Sequence, residues 1–239
     1  MKVIGFYLLC LAFSSSLFSQ KYIPKSEGEL IYHKYYTLSY NEYHEQANWV
    51  HYKLNPVFLS GSTLRTDLFK PDSLVSTKSA QLSDYKGSGY DRGHLAPAGD
   101  MKYSRESMIE SFFMSNMSPQ DPSFNRGIWR RLEETIREWV KSSEIFISTA
   151  GVLNIENLGS IGGNKVTIPS KYYKVIYSPK NNSMIGFLLS NKGSSSELKS
   201  FMVSIDSIES ITGIDFFHEL PDEIENSLES KVNLEDWEL

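Results

Sequence analysis

Tyr90-Asp91-Arg92-Gly93-His94-Leu95-Ala96-Pro97-Ala98-Gly99-Asp100 is the stretch on which the reading of this chain turns. Within it, Asp91-Arg92-Gly93-His94 places an acid, a permanent cation, a flexible glycine and a base that can be neutral near pH 7 in four consecutive positions. That combination suits general-base chemistry beside an anion. Its polar, glycine-containing composition predicts a turn. The same four residues also describe an ordinary surface turn with a local Asp–Arg pair, so the neighbouring sequence has to decide.

Upstream, Gly61 to Gly89 is dominated by Ser, Thr, Asp, Lys and Gly, with Pro71 and Gly87-Ser88-Gly89 marking turns. It predicts a long exposed connection, and in a compact domain such a loop is more often functional than idle. Before it, residues 30–32, 35–40 and 49–54 predict strands; the last alternates as a half-buried strand does and is stopped by Asn55-Pro56. His33, His44 and His51 match no compact metal spacing and read as surface or core-edge histidines, His51 as a strand residue without a catalytic role.

Downstream, a helix is predicted near residues 105–112, followed by Asn116-Met117-Ser118-Pro119-Gln120. The clearest helix comes next, with Ile128, Leu132, Ile136 and Val140 recurring every four residues. Residues 145–147, 166–168, 172–177 and 184–189 predict strands, the last two joined as a hairpin by Pro179-Lys180-Asn181-Asn182. Asn125 precedes the amphipathic helix and Glu133 lies on it. On a straight helix their backbones stand about 12 Å apart, too far to share an ion directly. A helical side chain leans toward the N-terminus, so Glu133 can reach a water on a hard cation held by Asn125. The alternatives are an N-cap for Asn125 and a solvated helix charge for Glu133.

Composition sets the limits around these features. The 239 residues are 40% hydrophobic and 13% aromatic, with 24 Lys+Arg against 29 Asp+Glu. Collagen-like, coiled-coil and wholly disordered classes are excluded, and one compact domain over residues 20–239 is predicted. Residues 1–19 carry one positive charge, an apolar run and a small polar end, the pattern of a signal peptide for a secreted or periplasmic protein. The apolar run is too short to span a bilayer, and no membrane association is expected of the mature form. Cys10 falls in that segment, so the mature chain is expected to have no disulfide, thiolate metal site or cysteine nucleophile. Glu219 to Leu239 holds eight acids and one lysine and predicts an acidic amphipathic C-terminal helix or tail, with Leu220, Ile224 and Leu228 on one side. An overall basic footprint is absent, which leaves room for an enzyme that needs only local positive charge and a metal.

With these residues assembled, the chain resembles the DNA/RNA non-specific endonucleases of the ββα-metal group. The resemblance rests on Asp91-Arg92-Gly93-His94 with Leu95-Ala96-Pro97 and Asp100, on Asn116-Met117-Ser118-Pro119-Gln120, and on Asn125-x-x-x-Trp129-x-x-Leu132-Glu133. Weaker similarity runs through Ile168-Pro169, Tyr172-Tyr173-Lys174-Val175 and Thr212-Gly213-Ile214-Asp215-Phe216-Phe217, covering most of residues 60–230. The resemblance implies an α+β fold with a mixed central β-sheet, flanking helices and a ββα-metal motif. It makes His94 the general base that activates water and Asn125 the direct ligand of a divalent cation, Mg2+ or alternatively Mn2+ or another such ion. Glu133 would act through metal-bound water, Arg92 and Arg65 would contact phosphate, and Asn116 would complete the catalytic set by hydrogen bonding. DNA and RNA are the implied partners, cleaved with little sequence preference because the contacts are mainly to sugar-phosphate. The rival readings are a phosphodiesterase for a small or lipid phosphodiester and a catalytically inactive nucleic-acid binder. Nothing in the sequence indicates an oligomer.

Overall fold

The computed structural model describes residues 21–237 except residue 142; the predicted signal peptide lies outside the described residues. The chain first lays down β1 (Glu29–Tyr32), β2 (Thr37–Asn41) and β3 (Gln46–Leu54), then α1 (Pro56–Leu59) just before the long connection and α2 (Leu82–Tyr85) within it. A small hairpin follows, β4 (Asp91–His94) and β5 (Met117–Gln120), with α3 (Arg105–Ser111) between its strands. A π-helical turn over Phe124–Trp129 runs into α4 (Arg130–Trp139). The rest comprises β6 (Ile145–Gly151), β7 (Ser160–Ile161), β8 (Val166–Thr167), β9 (Lys171–Ser178), β10 (Ser183–Ser190), β11 (Met202–Val203), α5 (Ile205–Thr212) and α6 (Asp222–Glu229).

The α+β class is as predicted, and the strands and the 179–182 hairpin fall where the sequence placed them. The central sheet, expected to be mixed, is antiparallel at every pairing, in the order β1-β2-β3-β6-β9-β10-β11. Each of its neighbours is reached by a hairpin or a return connection, so no parallel crossover is needed. Strand β3 departs from the half-buried expectation, because nearly every residue of β3, β6, β9 and β10 is buried. Both sheet faces are covered by elements remote in sequence.

The register sorts the two faces. Val50, Thr149, Lys174 and Phe187 are cross-strand partners and share one face, while His51, Ser148, Val175 and Gly186 share the other. On the first face, Trp139 of α4 stacks on Phe187 and the Trp129 ring covers Lys174. On the second, α5 comes so close that a Cβ on Gly186 would stand 2.8 Å from Ile208 Cδ1, and 2.9 Å from the unyielding Val203 carbonyl oxygen of the neighbouring strand. The N-terminal segment closes the same face: His51 bonds Ser148 Oγ and the Lys21 carbonyl, and Trp49 Nε1 donates to Ser26 Oγ. His51 is therefore a fully buried core residue rather than an edge histidine.

His33 is also buried. Its Nε2 lies 2.8 Å from Asp72 Oδ2, which accepts from Ser115 Oγ as well. This triad, with the Lys70–Phe112 and Met114–Lys70 backbone bonds, pins the middle of the predicted exposed connection to the body of the protein. Among the described residues no helix is long and apolar enough to cross a membrane. The acidic C-terminal helix exists as α6, with Leu228 packed against the core and Ile224 left exposed.

Candidate active site

Asp91-Arg92-Gly93-His94 forms strand β4 instead of the predicted turn, paired antiparallel with Met117–Gln120. Its own composition is a poor strand signal; Gly93 leaves room for the Gln120 side chain across the hairpin, which a Cβ there would meet at 2.2 Å and displace. The two strands and the helical segment from Phe124 make a ββα unit, whose surface cavity of about 240 Å3 is lined by His94, Arg92, Arg65, Asn125 and Glu133 together. Five of the six predicted site residues therefore meet in one place.

The sixth, Asn116, lies beneath it. Its Oδ1 accepts from the Ala96 N–H at 2.9 Å, and its Nδ2 donates to the carbonyls of Ala96 at 2.9 Å and Ser111 at 2.8 Å. The Leu95 N–H donates to the Asn116 carbonyl at 3.0 Å. With its amide fully used and the residue wholly buried, Asn116 fixes the chain that leaves His94 and does not touch the cavity. Its hydrogen bonds go to the backbone beneath the cavity, outside the cavity lining itself.

His94 stands edge-on to Phe112 at 4.8 Å and tilted to Phe69 at 5.8 Å. Burial, with the positive charge of Arg65 adding to it, pushes the imidazole down to about 3. Its Nε2 is closed off without a hydrogen-bond partner. The same two rings carry two cations: Arg92 lies over Phe69 at 4.3 Å and Arg65 over Phe112 at 4.9 Å, while Arg65 Nε donates to Asp67.

Asn125 is not an N-cap, because its own N–H already bonds the Asp121 carbonyl at 2.9 Å inside the helical turn. Its Nδ2 donates to Asp91 Oδ2 at 2.8 Å. Arg126 clamps the same carboxylate through Nε at 2.8 Å and Nη2 at 2.5 Å. Burial opposes ionisation of Asp91, but the bonds from Arg126 and Asn125 hold it below the usual carboxylate range. The segment kinks at Gly127 before α4 begins, so the straight-helix spacing does not apply and Asn125 and Glu133 line the same cavity.

Glu133 is not a solvated helix charge. Burial pushes its carboxyl upward, and Lys174 works in the opposite direction. Lys174 is wholly buried on β9, 4.5 Å over the Trp129 ring and 3.3 Å from Thr149 Oγ1, and burial pushes its ammonium downward. Beside this pair, Arg137 donates to Asp100 Oδ1 at 2.8 Å, and Tyr52 donates to Asp100 Oδ2 at 2.9 Å.

Sequence reasoning missed Arg126, Arg130 and Arg137, which line the cavity, and the buried Lys174 beneath it. The signal for the first three was present, since positions 126, 130, 133 and 137 follow the spacing of one helix stripe. The signal for the fourth was a single charge inside an otherwise apolar strand. The result is a cluster of arginines around one imidazole and one carboxylate, a local anion-attracting site on a chain of formal net charge −5.

A ββα unit with a histidine on its first strand and Asn and Glu on its helical arm defines a class of phosphodiester-cleaving hydrolases. A model of the DNA/RNA non-specific endonuclease family matches residues 14–223, and the chain belongs to that family. It is an endonuclease. It is 36% identical over 212 residues to a nuclease of Nostoc sp., an alignment covering 83% of this chain and 76% of that one. With the mitochondrial nuclease EXOG of Homo sapiens it shares 33% identity over 205 residues, 77% of this chain and only 56% of the relative's length. The solved complex of EndoG with EndoGI superposes at a TM-score of 0.74 and 28% identity, covering 82% of this chain and 88% of that one.

Proposed function

We propose that the chain is an exported, divalent-metal-dependent endonuclease that hydrolyses DNA and RNA with little sequence preference, using water activated by His94. The observation that carries this reading is an imidazole held neutral in the same cavity as Asn125, Glu133 and the arginines. Because Nε2 is enclosed, the proton of the attacking water is taken at Nδ1. Phe69 and Phe112 hold the ring in plane, and Asn116 fixes the backbone that bears it. Arg92 and Arg65 bind the phosphate oxygens, where charge grows as phosphorus becomes pentacoordinate.

The donor set fits a hard cation. Asn125 spends its amide nitrogen on Asp91, which leaves Oδ1 as a neutral oxygen donor, and Lys174 beneath Glu133 favours the carboxylate form. Asn125 would hold the ion directly and Glu133 through water, in keeping with the habit of Mg2+ to retain several waters. Such an ion supplies further neutralisation of the charge on the reacting phosphate. Contacts to phosphate and sugar rather than to base edges account for sequence tolerance. The composition of residues 1–19 supports export, which N-terminal sequencing of the mature protein checks.

The deciding experiment incubates the mature chain with supercoiled plasmid and with folded RNA, with Mg2+ or chelator, beside His94→Ala. Loss of both substrates that requires metal and His94 is expected. Well-folded protein that leaves both intact under Mg2+ and Mn2+ would overturn the reading.

A further inference from the structure

Helices α5 and α6 lie away from the catalytic cleft, α5 against the sheet face that carries Val175 and Gly186. Asp206 and Glu209 of α5 converge there with Glu229 of α6, one carboxylate oxygen of each within 4.8 Å of the other two. Proximity alone would mean little, since acidic groups often gather on surfaces. Glu229, however, is only 5% exposed, and its Oε1 has no hydrogen-bond partner. A carboxylate withdrawn from water without a partner is strongly unfavourable.

The surroundings do not relieve it. The groups that bear on Glu229 are Glu209, Glu225, Asp206 and Asp215, all of its own sign. Glu209 receives one backbone N–H, from Phe216 at 2.7 Å, and is otherwise pressed by Asp215, Asp206 and Glu225. His218 bears on Glu225, and its Nε2 lies 3.1 Å from the Ile23 carbonyl oxygen. Glu209 and Glu229 also fall in the last turns of their helices, where the macrodipole is negative and no basic side chain is present.

We propose that Asp206, Glu209 and Glu229 form a structural site for a hard divalent cation of the Ca2+ class, which clamps α6 onto α5. All three donors are oxygens, and carboxylate oxygens within 4.8 Å of one another fit around an ion whose ligands stand ~2.3–2.6 Å from it. Mg2+, with ligands at ~2.0–2.1 Å in a strict octahedron, suits this loose carboxylate set less well. The site is separate from the one at Asn125 and contributes to stability rather than to turnover.

The test uses the full mature chain carrying Asn125→Ala, so that the cleft adds no binding of its own. Ca2+ is titrated into chelator-treated protein by calorimetry, and Tm is read with and without the ion. One Ca2+ per chain is expected, with Tm rising by about 5–10 °C at ~100 times the Kd. Adding Glu229→Gln or Asp206→Asn should weaken binding at least ~10-fold and abolish the rise; because Asp206 is exposed, its variant folds even if the other does not. The proposal is overturned if the Asn125→Ala chain, with parent-like circular dichroism, binds no Ca2+ or gains no Tm. It is equally overturned if Asp206→Asn keeps the full response, or if Mg2+ stabilises more than Ca2+.

Discussion

The two faces of the central sheet treat acidic side chains in opposite ways. On the cleft side three carboxylates drawn out of water each meet a cation of the chain itself: Asp91 meets Arg126, Asp100 meets Arg137, and Glu133 faces Lys174. Behind the sheet, Asp206, Glu209 and Glu229 face one another and further acids, and Glu209 has one backbone N–H, from Phe216, in place of a cation. The first arrangement is preset to hold a fixed geometry, because each charge already has its partner. The second leaves its balance to something from solution. Similar residue types thus serve positioning in one place and ion capture in the other.

The sharpest way to test the cleft side is His94→Ala, expected to lower kcat by about 10²–10⁴-fold. Nothing donates to or accepts from His94 Nε2, so its loss orphans no partner there, and circular dichroism and Tm should stay near those of the parent. Unchanged turnover would remove His94 from the chemistry and with it the purpose of the paired network around it.

Asp100→Ala attacks the pairing itself. It strips Arg137 and the Tyr52 hydroxyl of their acceptor in a buried setting and should cost about 3–5 kcal/mol in urea unfolding. A loss below ~1 kcal/mol would mean that the charges on this face are no better matched than those behind it.

A pH titration of stability probes both faces through their histidines. Burial depresses His94 to about 3 and His51 to about 4. A depressed base gives stability that is complete above its unfolded value near 6.5 and lost as pH falls toward the folded one. Measured as the difference from a His51→Gln chain, which cancels the other titrating groups, stability should therefore drop between pH ~6.5 and ~4, by about 3 kcal/mol. A flat difference over that window would contradict the burial of the His51 ring.

The smallest effect has the opposite sign. In cation-free buffer Asp206→Asn should raise Tm by about 1–3 °C, because it relieves repulsion from Glu209 and Glu229. A fall in Tm would erase the contrast between the faces.

Much of this was legible in the sequence because the chemistry is local. His94, Arg92, Asn125 and Glu133 lie on one short strand and one helical arm, so order and spacing nearly suffice. The hairpin that presents them was not legible. Gly93 and Pro119 are both weak strand formers, and β4 and β5 stand as strands only because they pair with each other across an intervening helix. Burial of His51 was hidden for a similar reason, since Lys21 and Ser26 close that face from the far end of the register. Asp100 with Arg137, and Glu133 with Lys174, join residues 37 or more positions apart; nothing in local composition marks a charge as destined for a buried partner.

The connection pinned by Asp72 ends its tether just short of the cleft. Residues 62–69 bring Arg65 and Phe69 to the active site while Leu64 and Leu68 stand largely in solvent. The anchored half keeps the platform in place, and within the outer half Leu64 and Leu68 can vary while Arg65 and Phe69 stay. A randomised library confined to Leu64 and Leu68 is accordingly the natural place from which to select new strand or groove preferences, with the hydrolytic machinery carried along unaltered.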